Sequence, residues 1–364
     1  MVAIFVGFSN TEKISIYLRR VVARLEIEKY LELVSERVVL DVRTPSEFQQ
    51  GHIPGSKNYP LFSDVERAEI GTLYKQVSRD KAFHRGLELV GPRMAEMVEH
   101  AVQLAPGKKV LVHCWRGGQR SESVAWLLNS AGFEVAVLDG GYKAYRRFVL
   151  AAYESVPLRF LVLGGPTGSG KTELLEEMHK LGAQIIDLEK LAHHKGSAFG
   201  SLGEENQPSS EHFENELNLQ IRCLDPSRPV WIEHESRGIG RVFLPDPFWR
   251  YLMRSVLVLV DPGRDARLAH AMEIYGSFES VMLKSCFTRI RNRMGGQHVK
   301  AAVEAIDSGD IKTAASIALD YYDKTYAHHI EKYPHPVTHK LSIEGFSRQA
   351  AAEKLVALEN SFLQ

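Results

Sequence analysis

Cys114 stands at the end of an apolar run and is followed within seven residues by Arg116, Gly117, Gly118, Arg120 and Ser121, in the stretch LVHCWRGGQRSES. A cysteine becomes a nucleophile as its thiolate, and a free thiol is mostly protonated at neutral pH. The residues after Cys114 supply what shifts that balance. Two glycines let the backbone curl so that several N–H groups face one centre. A helix starting at this point adds unpaired amides and the positive end of its dipole, and Arg116 and Arg120 add fixed positive charge. The pattern suits an anion attached to, or arriving at, the sulfur. The bland alternative, a core cysteine at a strand end, leaves the arginines, glycines and serine unexplained.

A second pattern follows about fifty residues later. Gly165-Pro-Thr167-Gly168-Ser169-Gly170-Lys171-Thr172 fits G-x-x-x-x-G-K-[ST]. Its backbone amides would cradle phosphates, Lys171 would reach a terminal phosphate, and Thr172 could hold Mg²⁺. Phosphate binding is not nucleotide hydrolysis. The usual acidic partner ends a later strand, and Asp187, Glu233 and Glu235 are candidates among which spacing does not choose. His194, Lys195 and Ser197 in LEKLAHHKGSAFG, with Glu233, Glu235, Ser236 and Arg237 in WIEHESRGIG, are further candidates for loops that contact an anionic substrate. The paired histidines His193 and His194 lack the ligand spacing of a metal site, so no metal is assigned. Lys284, Arg289, Arg291, Arg293 and Lys300 lie in KSCFTRIRNRMGGQHVK, a stretch with no acid. Such a segment could grip a nucleic-acid backbone, although a solvated helix face gives the same spacing.

These groups need elements to hold them. RVVLDVR, KKVLVHC and EVAVLDGGY read as buried strands, separated by helical runs in PSEFQQ, PRMAEMVEHAVQLA and SESVAWLLNSAG. LRFLVLGG places a strand directly before the glycine-rich loop. AQIIDLEKLA, PVWIEHES and SVLVLVD give three more, and after Pro262 the pattern turns helical. Strands alternating with helices argue parallel α/β sheets. The expected organisation is an N-terminal extension over 1–30, a sheet domain over 31–150, a phosphate-loop α/β domain over 156–262, and a mainly helical region over 263–364.

The cysteine stretch matches H-C-x-x-G-x-x-R-S, the loop of cysteine-dependent phosphatases, and also resembles the active loop of rhodaneses, which carry sulfur as a cysteine persulfide. VVLDVRTPSEFQQGHIPGSKNYP resembles the first half of a rhodanese domain, and LDGGYKAYRR its closing strand and glycine pair. The resemblance implies a rhodanese-like fold with Cys114 as chalcogen carrier, and with Asp41 and Arg43 bracing the loop by ion pairing.

A rhodanese-like domain ahead of a phosphate-loop domain resembles the tRNA 2-selenouridine synthase family. The likeness runs over about 37–330 through CWRGGQRS, GGYKAYR, GGPTGSGKT, DLEKLAHHKGSAFG and EHESRGIG, in that order. GTLYKQVSRDKAFHRGLELVGP resembles the family's insertion between the rhodanese halves. Lys195 stands where members often have arginine, which keeps the charge. The resemblance implies replacement of the sulfur of wobble 2-thiouridine by selenium from selenophosphate, through an S-geranyl intermediate made from geranyl diphosphate. Cys114 would carry selenium as a selanyl-sulfide beside Arg116 or Arg120, and the 165–172 loop would hold a diphosphate. The partners implied are tRNA and a selenophosphate donor system. A geranyl tail needs an apolar pocket, for which Phe199, Phe213 and Trp231 are the candidates.

Composition narrows the field. The 364 residues include 45 basic and 45 acidic side chains, so any nucleic-acid surface is a local patch. No run is apolar enough to span a bilayer. The apolar start MVAIFVGFSN lacks the basic flank and cleavage site of a signal peptide, and three scattered cysteines make no disulfide framework; a cytoplasmic location is expected. Three other readings stand beside the synthase. A cysteine-dependent phosphatase with a nucleotide-binding domain would need a general-acid loop, which is not evident. A rhodanese sulfurtransferase acting on tRNA leaves the phosphate loop without a role. A binding-only sensor would not need Cys114.

Overall fold

The computed structural model describes residues 22–359 and 361–363. MVAIFVGFSN and most of the expected N-terminal extension lie outside the described residues. The chain divides into two compact units, Met1–Phe148 and Val149–Gln364.

The first unit is built on a parallel sheet of β1 (Ala23–Leu25), β2 (Val38–Asp41), β3 (Lys57–Asn58), β4 (Lys109–His113) and β5 (Glu134–Leu138), in the order β1-β5-β4-β2-β3. β2 and β4 are apolar nearly throughout because helices cover both faces of a parallel sheet; Leu40, Val110 and Val112 are fully buried. Residues 23–25 pair with β5, so the expected extension ends earlier than residue 30, and its last part belongs to the sheet. The helix Pro45–Gln50 starts at a reciprocal cap: Thr44 accepts from the Glu47 amide while Glu47 accepts from the Thr44 amide. This fixes Glu47 in space. The insertion forms two capped helices, Asp64–Gln76 and Arg79–Val90.

The second unit carries another parallel sheet, of β6 (Arg159–Gly164), β7 (Gln184–Ile186), β8 (Pro229–Glu233), β11 (Val256–Asp261) and β12 (Thr338–Ser342), in the order β12-β11-β6-β8-β7. A small antiparallel pair, β9 (Gly238–Ile239) and β10 (Val242–Phe243), lies apart from it. Every strand expected from β6 to β11 forms. β12 was not expected: THKLS is an exposed edge strand with alternating burial and lacks the apolar run that marks central strands. It corrects the boundary at 262. The region 263–364 is mainly helical, but it is no separate body, since β12 extends the sheet and Ile343, Ala351, Ala352 and Leu355 share one core with Leu174, Leu175 and Trp231. Helices between Ser280 and Lys332 build a further core with Phe199 and Leu202, around Leu283, Phe287, Ile306 and Ala314.

Candidate functional site

The loop 114–118 joins β4 to the helix Gln119–Ser130. Cys114 is almost fully buried. Its sulfur lies 3.3 Å from the Ser121 hydroxyl, which also donates to the Gly118 carbonyl at 2.9 Å. Burial pushes the thiol up. The Ser121 hydroxyl, the amides of Arg116 and Ser121 and the Arg120 charge outweigh that, and the Cys114 thiol is held below its ordinary value. The Cys114 thiol itself points at the Gly118 carbonyl, 3.9 Å away. The two arginines divide: Arg120 is engaged by Glu47, at 2.6 and 3.1 Å to its two oxygens, whereas Arg116 is exposed and has no ion-pair partner among the described residues. Arg116 is the cation open to an arriving anion.

The loop is held from behind. The Arg43 guanidinium donates to Asp41 at 2.6 Å and to the Gly51 carbonyl at 2.7 Å, and lies 3.6 Å over the Tyr142 ring. His113 Nε2 sits 3.2 Å from Asp41, and Tyr30 contacts the other ring nitrogen at 3.2 Å. Burial raises Asp41, but His113 and Arg43 hold it well below the usual carboxylate range. The Tyr142 amide donates to the Cys114 carbonyl at 2.8 Å. Gly141 makes that approach possible: at φ +61° a β-carbon there would crowd the Gly117 amide and come within 2.5 Å of the Cys114 carbonyl and 2.8 Å of the Arg116 amide.

In the second unit the loop after β6 leads into the helix Lys171–Lys180, whose N-cap is Gly170. Thr172 Oγ1 lies 2.9 Å from Glu233 and 3.1 Å from Glu189. Glu233 ends β8, the neighbour of β6, and its other oxygen accepts from the Glu189 amide at 2.9 Å. Geometry thus selects Glu233 as the strand-end acid, and brings in Glu189, which the sequence reading missed. Lys171 faces the same group. Burial opposes its charge, but Glu235, Glu189, Tyr326 and Glu233 surround it and it is held above the ordinary lysine value, Tyr326 counting through its phenolate form. The carboxyls respond together. Burial first, then the Glu235 charge, pushes Glu189 up to about 8; burial and Glu233 push Glu235 up to about 7 against the pull of Lys171. Glu233 and Asp187 are raised as well, burial leading in both. Glu189 and Glu235 act on each other's charge across this group. Gly196 covers this pair, where a β-carbon would lie 2.9 Å from an oxygen of each. Oxygen ligands of this kind suit Mg²⁺, yet no group of three or more His, Cys, Asp and Glu among the described residues is arranged to hold a metal ion.

A cavity of about 410 Å³ opens over the loop. Gly165, Thr167, Gly168, Ser169, Gly170, Lys171, Thr172, Lys195, Ser197, Glu235 and Ser236 line it. His194 does not: it is buried behind its loop, against Gly200 and Gly240. Arg237 turns away to pair with Asp246 at 2.9 Å. Lys195 is bound by Glu204. The cavity also takes residues from the far helices, which only folding brings near. The Tyr326 hydroxyl accepts from the Gly165 amide at 2.9 Å and lies 3.0 Å from His234 Nδ1. Arg267 donates to the Thr167 carbonyl at 3.3 Å and pairs with Asp323 at 2.6 Å. Their only sequence signal was membership of a long helical stretch.

Phe199, Phe213 and Trp231 are core residues and do not line the cavity over the loop. Phe199 packs on Phe287, Phe213 is fully buried, and Trp231 stacks edge-on against Phe362. Cys286 is a core residue, whereas Cys223 is exposed at a helix end. In the basic segment Lys284 is tied to Asp307 at 2.7 Å and Arg289 donates to the Cys286 sulfur at 2.9 Å. Arg291 and Arg293, in the helix Arg291–Met294, are exposed and unpaired among the described residues. No described helix is long and apolar enough to cross a membrane.

Comparison with known proteins covers both units. A family model described as the tRNA 2-selenouridine synthase AAA domain matches residues 158–354, and a rhodanese-like domain model matches 24–148. A tRNA 2-selenouridine synthase of Nitrosomonas europaea is 36% identical over 252 residues, which span 66% of this chain and 64% of the relative, slightly under two thirds of its length. The Bdellovibrio bacteriovorus synthase is 36% identical over 77% of this chain and 72% of its own. That of Ectopseudomonas mendocina is 32% identical over 80% and 87%.

Proposed function

The chain belongs to the tRNA 2-selenouridine synthase family, and from that premise we propose that it exchanges the sulfur of a wobble 2-thiouridine for selenium in two steps, one at each anion cradle, in the cytoplasm. The observation that carries this reading is the coexistence of two such cradles, each with its own reactive group: an activated thiol at Cys114 and a phosphate loop ending in Lys171 and Thr172.

In the first step the thiocarbonyl sulfur of the uridine attacks C1 of geranyl diphosphate. A C–S bond forms, the C–O bond breaks, and the diphosphate leaves with the electron pair. Loop amides and Lys171 stabilise the charge that collects on it, an effect strongest in a water-poor site. Alkylation turns a poor leaving group into a thiolate-type one and makes ring carbon C2 electrophilic.

In the second step selenium reaches C2 and geranylthiol departs. Selenium in selenophosphate is already at the selenide level, so a selanyl-sulfide on Cys114 would require a two-electron oxidant. The balanced route has the Cys114 thiolate attack phosphorus, forming an S–P bond and breaking P–Se to release hydrogen selenide. Water later cleaves the S–P bond to give phosphate. Arg116 and the loop amides suit the three phosphoryl oxygens. Selenide then adds at C2 and expels geranylthiolate. On this reading Arg291 and Arg293 contact the tRNA backbone.

The test separates the cradles. With Cys114→Ala, tRNA nucleosides should accumulate the geranylated base and contain no selenouridine. With Lys171→Ala, geranylation itself should fail. Mass spectrometry of nucleosides showing the reverse pattern would refute the assignment.

A further inference from the structure

The phosphate loop opens onto a second hollow. Gly168, Ser169 and Gly170, which border the charged cavity, also border a groove of about 320 Å³. Its walls are apolar: Leu174, Pro262, Ala266, Ala269, Ile343 and Phe346. Ala266 and Ala269 stand three apart on the helix Arg264–Tyr275 and so share one face; both are exposed, and their small side chains leave the space open. Phe346 is 48% exposed, with the Lys354 ammonium 4.8 Å from the ring centre. A large half-bare ring beside small aliphatic residues is what an apolar ligand needs.

The polar groups at the rim are already engaged. Arg348 lies 2.9 Å from Glu273 and 3.0 Å from His270, and His270 Nε2 is 3.3 Å from Glu173. A nucleoside base in this groove would meet few free partners for its own donors and acceptors, at a cost in desolvation. A hydrocarbon needs none. The cavity over the loop has apolar walls too, at Ile274, Tyr275 and Tyr322, but a hydrocarbon there would lie against Lys171, Lys195, Glu189 and Glu235, which would lose water on contact.

We propose that this groove holds the hydrocarbon chain of a prenyl diphosphate whose diphosphate rests on the 165–172 loop. The inference builds on the proposed role of that loop and adds where the tail goes: along the helix face of Ala266 and Ala269, toward Phe346. A buried methylene is worth about fourfold in affinity, so affinity at this site rises with chain length, and filling the groove removes the rise while leaving the diphosphate contacts alone.

The test is calorimetric titration of the full chain with inorganic pyrophosphate, dimethylallyl diphosphate, geranyl diphosphate and ADP. For the native chain, geranyl diphosphate should bind at least about tenfold more tightly than dimethylallyl diphosphate. Ala269→Phe should abolish that difference and keep pyrophosphate affinity within about twofold; Ala266→Leu, a smaller change on the same face, decides if the first variant fails to fold. A chain-length preference that survives in the folded variants overturns the inference. So does a preference for ADP over pyrophosphate that the variants lose, which would make the groove a nucleoside site. If pyrophosphate binds but chain length has no effect, the groove assignment alone fails. If pyrophosphate does not bind at all, the phosphate-loop reading falls and takes this one with it.

Discussion

Ser121→Ala isolates the physical basis of the cysteine site. The Ser121 side chain is fully buried, and its hydroxyl lies 3.3 Å from the Cys114 sulfur and 2.9 Å from the Gly118 carbonyl. When the thiol ionises, the hydroxyl proton is better placed on sulfur, because a hydrogen bond to a charged acceptor is worth about 1.5–3 kcal/mol. The competing carbonyl lowers the net gain, so the lower end applies. About 1.4 kcal/mol is tenfold in an ionisation equilibrium. Alanine should therefore move the Cys114 titration to higher pH and cut the thiolate present below the midpoint about tenfold. Burial, the largest influence on this thiol, acts in the same upward direction and then meets less opposition. The assay is the rate of alkylation by iodoacetamide against pH, followed on the Cys114 peptide by mass spectrometry, because the exposed Cys223 also reacts. Ser121→Thr keeps the hydroxyl and should restore the native midpoint. A midpoint in Ser121→Ala that stays put, or moves down, would show that the hydroxyl does not support the thiolate.

Asp41→Asn should destabilise the first unit by about 3 kcal/mol, since it leaves the buried Arg43 without its charge partner; thermal unfolding reads this. Because the folded state holds Asp41 low, its contribution is fully present above the ordinary aspartate value of about 3.9 and fades as pH falls further, so the gap between native and variant should close in strong acid. Gly141→Ala should both impair Cys114 reactivity and lower the stability of the first unit, since its β-carbon would press on loop backbone at 2.8 Å or less in a left-handed conformation; an unchanged alkylation profile would count against that packing. Pyrophosphate binding should weaken as pH rises through about 7 to about 8, where Glu235 and Glu189 lose their protons and repel the anion. Glu235→Gln should flatten that dependence in calorimetric titrations, and an equally steep profile in the variant would place the titration elsewhere. Reversing Arg291 and Arg293 to Glu should weaken tRNA binding and reduce its salt slope in filter-binding assays; unchanged affinity would remove this segment from the tRNA surface.

Much of this protein was legible in the chain because its signals are local. A cysteine loop of glycine, arginine and serine, and a glycine-rich loop before lysine and threonine, carry their geometry in consecutive residues. Buried parallel strands announce themselves as apolar runs of five or six. What was hidden depends on distant segments meeting. Sequence left Asp187, Glu233 and Glu235 equivalent; the pairing of β8 with β6 put Glu233 against Thr172, and the short helix Leu188–Ala192 after β7 added Glu189. His194 and Lys195 are neighbours in the chain, yet one is buried behind the loop and the other faces the cavity, a division set by backbone direction. Arg116 and Arg120 looked alike until the capped helix at Thr44 delivered Glu47 to one of them. The strand Thr338–Ser342 escaped notice because an edge strand is half solvated and shows no apolar run. Sequence by itself determined the two loop motifs and the central strands that carry them. Tertiary structure alone decided which charges stay free, which acids share protons and where apolar space remains, because burial and charge pairing are sums over neighbours that chain order does not specify.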